Sequence, residues 1–235
     1  MIETKYTYNS DQNETQKISI VLADDHPLIR QALRMWIEKQ KDMEIVAEAA
    51  DGKEVVEITA KLNPDVLIMD ISMPKMNGLE ATKEIKEVSP NTEVLILTVH
   101  TDDEHIISTV RAGASGYLTK KTSGEEVIHA IRALADGENL LPANISQTII
   151  KDTLSNPEQL VLTKIEELSA REQNLLKLAA NGMSNKEIGL TLNLSLRNVK
   201  ACFTNIFLKL GVSSRTGAIA VGLKTGVITI EDLDR

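Results

Sequence analysis

Apolar runs recur along the chain in two styles, one with strand spacing and one with helix spacing. Between Lys17 and about Gly137, the short runs ISIVLA, EIVAEA, VLIMD, EVLILT and SGYLT alternate with helical stretches of roughly ten to fifteen residues. VLIM and VLIL show no polar alternation, as expected of central parallel strands covered on both faces by helices. The pattern predicts an α/β doubly wound, five-stranded parallel sheet over residues 17–137.

Strand character fades over residues 138–165, where Pro142 and Pro157 fall. This stretch reads as a linker, with a short helix around 145–154. Beyond it the periodicity is wholly helical. Ser169 with Glu172, and Ser184 with Glu187, have the S-x-x-E spacing of capping boxes, Gly182 can end the first helix and Ser195 can cap the third. Helices are expected at 170–181, 185–192, 196–210 and 214–224, in a small all-α unit spanning 166–235.

Composition refines the division. The 235 residues carry 26 Lys+Arg and 34 Asp+Glu, a net charge of −8. The last 76 residues hold 10 basic and 7 acidic side chains, net +3, which leaves 16 and 27, net −11, in residues 1–159. Only the basic tail is suited to approach phosphates. Residues 1–16, MIETKYTYNSDQNETQ, lack an apolar core and read as a disordered arm rather than a signal peptide. No apolar run reaches the length of about eighteen residues that spans a membrane. One cysteine, Cys202, excludes an internal disulfide and fits a reducing compartment. A soluble cytoplasmic protein is expected.

The chemistry sits where the strands run out. Asp24 and Asp25 follow the first run, Asp70 the third, Thr98 ends the fourth and Lys120 follows the fifth. Groups at the carboxyl ends of neighbouring parallel strands converge on one crevice. Three carboxylates there would call for a hard divalent cation, for which Mg²⁺ is the natural candidate. Asp70 could then act as nucleophile toward a phosphoryl group held near Lys120.

The motifs DDHPLIR, MDISMPKMNG, LTVH and AGASGYLTKK together make residues 17–137 resemble the receiver domain of bacterial two-component response regulators. The resemblance implies that Asp70 is the phosphoacceptor. Mg²⁺ would be held by Asp25, Asp70 and the backbone carbonyl of Ser72, with Asp24 acting through water. Thr98 and Lys120 would bind phosphoryl oxygens, and Tyr117 would be the aromatic switch that moves inward. His26 is expected to start a helix, and His100 to tune dephosphorylation. Trp36 is expected in the core.

In the tail, the helical period puts Val199, Phe203, Ile206 and Leu210 on one stripe, and Arg197, Lys200, Ala201, Thr204 and Leu208 on the opposite one. Two cations, a methyl and a hydroxyl on a narrow face suit a DNA groove. The segment NGMSNKEIGLTLNLSLRNVKACFTNIFLKLGVSSRTGAI resembles the LuxR/NarL-type helix-turn-helix, whose third helix enters the major groove. That likeness implies groove contacts by Lys200, Ala201 and Thr204, and backbone contacts by Asn185, Lys186 and Arg215. Leu196, Asn198 and Cys202 depart from the residues usual in that family, which blurs the target sequence.

Together these features describe a DNA-binding transcriptional response regulator. It would be switched by a sensor histidine kinase through Asp70, would bind double-stranded DNA as a homodimer when phosphorylated, and would not turn over substrate as an enzyme. A phosphatase of the haloacid-dehalogenase type also places an Asp after a buried strand, but it wants a second Asp two residues on, where this chain has Ser72. A regulator that binds DNA irrespective of phosphorylation is the other alternative.

Overall fold

The structure, a computed structural model, describes residues 17–99, 103–138, 140–141 and 167–233. The arm over 1–16, the helix expected around 145–154 and His100 lie outside the described residues.

Strands β1 (Ile18–Ala23), β2 (Met43–Ala49), β3 (Val66–Met69), β4 (Glu93–Thr98) and β5 (Gly116–Thr119) alternate with helices α1 (Pro27–Ile37), α2 (Gly52–Leu62), α3 (Gly78–Val88), α4 (Asp103–Ala112) and α5 (Gly124–Ala135). All the strand pairs are parallel, in the order β2-β1-β3-β4-β5. Successive side chains of a strand point to opposite faces. Val21, Leu67, Met69, Val94 and Ile96 therefore build one core layer, while Ile20, Leu22, Ile68 and Leu95 build the other. This two-sided burial is what the unbroken apolar runs require. The chain winds from β1 outward in both directions, so the crevice lies at the carboxyl ends of β1 and β3.

Helix starts follow local chemistry. The side chains of Asp51 and Asn77 accept backbone N–H bonds at the first turns of α2 and α3, and Ser123 with Glu126 forms a capping box on α5.

The second unit contains α6 (Ala170–Ala180), α7 (Asn185–Leu192), α8 (Leu196–Leu210) and α9 (Arg215–Lys224). Both expected capping boxes form, at Ser169/Glu172 and Ser184/Glu187, and Ser195 caps α8. Val199, Phe203, Ile206 and Leu210 are buried together with Leu175, Leu176, Ile188 and Val221. The α7–α8 turn is tight. A side chain at Gly189 would place its Cβ 2.8 Å from the carbonyl oxygen of Leu194.

Two expectations are corrected. Trp36 packs against the core from its margin and is only partly buried, its indole lying across Gly124 at the start of α5. The stretch taken as linker from 138 onward is still part of the sheet at its start. Leu140 forms a parallel bridge with Gly116, its N–H donates to the Ser115 carbonyl, and its side chain packs on the core. A one-residue bridge has no periodicity to read.

Candidate functional site

Asp24 and Asp70, both nearly fully buried, face each other across the β1/β3 crevice. The Asp70 N–H donates to the Ala23 carbonyl at 2.9 Å, which ties the end of β3 to β1. From beyond β5, the Lys120 ammonium reaches Asp24 Oδ2 at 2.7 Å and Asp70 Oδ2 at 2.8 Å. Burial alone would lower the Lys120 pKa, but hydrogen bonds to Asp24 and Asp70 outweigh it and hold it above its ordinary value. The second oxygen of Asp70 accepts from the Ile71 N–H at 2.8 Å. Thr98 is buried at the end of β4, and its carbonyl accepts from the Lys120 N–H at 2.8 Å. The crevice therefore gathers Asp24, Asp70, Thr98 and Lys120 as anticipated.

Asp25 lies further out, its side chain 35% exposed. His26 starts α1, but its imidazole also turns back on the acids, with Nδ1 2.7 Å from Asp25 and 3.2 Å from Asp24. The expectation of a helix-starting role alone was too narrow. Adjacency to the acid pair was the available signal. Asp24, Asp25, His26 and Asp70 each offer a ligand atom, all within 4.8 Å of one another, so the group can hold a metal ion. Three of the four donors are carboxylates, which suits a hard divalent cation. Ser72 lies two residues past Asp70, in a loop folded back by the Gly78 N–H donating to the Ile71 carbonyl. Tyr117 is already buried, packed with Ile96, Ile106 and Val110.

Four of the residues read as DNA contacts meet the first unit. Lys200 Nζ lies 3.2 Å from Asp65 Oδ1, and Thr204 Oγ1 donates to Asn91 Oδ1. The Asn185 N–H donates to the Asp136 carbonyl at 2.7 Å. Arg215 is half-buried, its guanidinium over the Phe203 ring at 4.8 Å, and it donates to the Gly137 carbonyl, Asn185 Oδ1 and the Met183 carbonyl. Burial pushes its pKa down to about 10, with Glu93 opposing. Ala201 and Lys186 remain exposed, and Arg197 occupies the first turn of α8. The helical unit thus turns half of its predicted DNA face onto the strand-start end of the sheet. Asp65 and Asn91 were missed because an acid or amide before a strand looks like ordinary loop.

Known proteins resemble both halves. The family described as "Response regulator receiver domain" matches residues 20–132, and "Bacterial regulatory proteins, luxR family" matches residues 166–221. The transcriptional regulatory protein DegU of Brevibacillus brevis is 33% identical, over 94% of this chain and 99% of its own. The oxygen regulatory protein NreC of Staphylococcus aureus is 38% identical, over 88% of this chain and 97% of its own. The crystal structure of a LuxR-family two-component response regulator from Aurantimonas sp. SI85-9A1 superposes with a TM-score of 0.52 at 34% identity, covering 58% of this chain and 98% of that one. With a strand-end acid pocket on one unit, a helix-turn-helix on the other and these relatives along nearly its whole length, the chain belongs to the LuxR family of DNA-binding response regulators, the transcriptional regulators of two-component systems.

Proposed function

We propose that Asp70 is the phosphoacceptor through which a sensor histidine kinase switches this regulator in the cytoplasm. The observation that carries the reading is the Lys120 ammonium, its side chain 11% exposed, bridging the buried Asp24 and Asp70 beside Thr98. An Asp70 carboxylate oxygen attacks phosphorus in the donor, a phosphohistidine or acetyl phosphate. The P–N or P–O bond breaks, and the imidazole or acetate leaves with its electron pair. Lys120 then turns from the carboxylates to a phosphoryl oxygen, and the Thr98 hydroxyl donates to another.

Asp25, Asp70 and the Ser72 carbonyl would hold Mg²⁺, with Asp24 acting through water. The ion would neutralise charge on the phosphoryl oxygens. Tyr117 would be the aromatic that moves inward when Thr98 is drawn to the phosphoryl group. The pocket holds the phosphoryl group and releases it slowly, as a switch rather than an enzyme of turnover.

The readout is double-stranded DNA. Arg197, Lys200, Ala201 and Thr204 serve the major groove, and Asn185, Lys186 and Arg215 serve the backbone. Four of these groups face the receiver in the resting arrangement, so the two units must part before they reach DNA. Paired phosphorylated chains would then occupy two half-sites. The working division is an arm over 1–16, the receiver over 17–137, a linker over 138–165 with its first residues pinned to β5, and the DNA-binding unit over 166–235.

Incubation with labelled acetyl phosphate and Mg²⁺ tests the reading. Wild type should incorporate label and Asp70→Asn should not, and undiminished labelling of that variant would remove Asp70 from the role.

A further inference from the structure

Lys200 meets Asp65 across the seam between the two units, and a carboxylate has the chemistry of a DNA phosphate. Asp65 Oδ1 lies 3.2 Å from the Lys200 ammonium, with the lysine side chain 16% exposed and the aspartate 32%. The other carboxylate oxygen, Oδ2, accepts from the Ser19 N–H at 3.0 Å and the Ser19 hydroxyl at 2.8 Å, while the Asp65 N–H donates back to that hydroxyl at 3.0 Å. The anion is therefore held rigidly by the start of β1, with one oxygen turned out toward α8. Burial pushes the Asp65 carboxyl up, but the Ser19 hydrogen bonds and Lys200 outweigh this and keep it below its ordinary value. Beside it, Asn91 offers an amide oxygen to Thr204, much as a base edge would.

We propose that Asp65 is a built-in stand-in for a DNA phosphate, and that its competition for Lys200 sets how tightly the resting protein is withheld from DNA. The inference deepens the proposed function and rests on its assignment of Lys200 to DNA. Duplex and Asp65 cannot hold the same ammonium at once, so every increment of the Asp65 contact is subtracted from the resting protein's affinity. Asp65 and Asp70 flank β3 at opposite ends, about 16 Å apart along the strand. Removing the Asp65 charge therefore leaves the phosphorylation chemistry in place.

The test uses the full chain, a fluorescein-labelled 30-bp random duplex at constant salt, and three variants. Asp65→Asn keeps an oxygen for Ser19 but discharges the stand-in. Asn91→Ala removes the neighbouring contact without touching the Ser19 network. Glu57→Gln, exposed on α2, makes the same charge change away from the seam. Without a phosphodonor, Asp65→Asn should bind about fivefold tighter than wild type, equivalent to about 1 kcal/mol. Asn91→Ala should bind about twofold tighter, and Glu57→Gln should match wild type. Asp65→Asn should still incorporate acetyl phosphate, which reports an intact receiver, and should gain less affinity from it than wild type does. An Asp65→Asn affinity no higher than that of Glu57→Gln, while acetyl phosphate still tightens wild-type binding, would overturn the stand-in and leave the proposed function standing. No duplex binding by any form, even with acetyl phosphate, would overturn the stand-in together with the assignment of Lys200 to DNA on which it rests.

Discussion

The Lys120 ammonium sits 2.8 Å from Asp70 and is shared with Asp24, so one buried cation serves two buried carboxylates from different strands. Breaking such a cluster by removing the cation leaves like charges facing each other in a poorly solvated crevice.

Lys120→Ala should accordingly lower stability by about 3 kcal/mol in the absence of divalent cations. Urea denaturation followed by circular dichroism measures the loss. Millimolar Mg²⁺ should restore part of it, and more in the variant than in wild type, because the uncompensated carboxylates gain most from a cation. An unchanged midpoint would show that the ammonium is not what reconciles Asp24 with Asp70.

Glu172 makes a comparable connection in the helical unit. It closes the capping box with Ser169 and pairs with Lys209 of α8 at 2.7 Å. Burial pushes its carboxyl up, but the hydrogen bonds from Lys209 and Ser169 outweigh that and lower the pKa from its ordinary 4.5. A lowered carboxyl contributes stability that is complete above its unfolded value and fades as pH falls below it. Glu172→Ala should cost about 1–2 kcal/mol at pH 7. The difference from wild type should shrink in thermal melts taken below pH 4.5, whereas a constant difference would mean that the carboxylate charge contributes nothing.

Under the proposed function Lys200 has opposed duties in the two states, and its removal should show both. Lys200→Ala should weaken duplex binding by the acetyl-phosphate-treated protein about tenfold and reduce the slope of log affinity against log salt by about 1. The untreated protein should lose less, because the same substitution also frees the seam from Asp65. Fluorescence anisotropy across a salt series reads both quantities. Equal losses in the two states would separate the seam from DNA binding.

What could be read in the sequence was local or periodic. Capping at Ser169, Ser184 and Ser195 needs only neighbours a few residues away, and the unbroken VLIM and VLIL runs announce burial on two faces. The gathering of Asp24, Asp70, Thr98 and Lys120 followed from parallel topology once the strands were placed. The meeting of two separately patterned units was invisible. Asp65 and Asn91 carry no helical or strand period, and nothing near Arg215 signals that its guanidinium will be covered by the end of α5. Trp36 illustrates the same limit, since a large aromatic on an apolar stripe does not say whether its stripe faces a closed core or an open edge.

The acid pocket and the seam lie at opposite ends of β3. Asp70 lies in the strand-end crevice, while the helical unit occupies the far edge, at Asp65, Asn91 and Gly137. The phosphodonor therefore needs no prior separation of the two units. Under the proposed function, charging would come first and release second, so the seam would filter the output of the switch and leave its input unguarded.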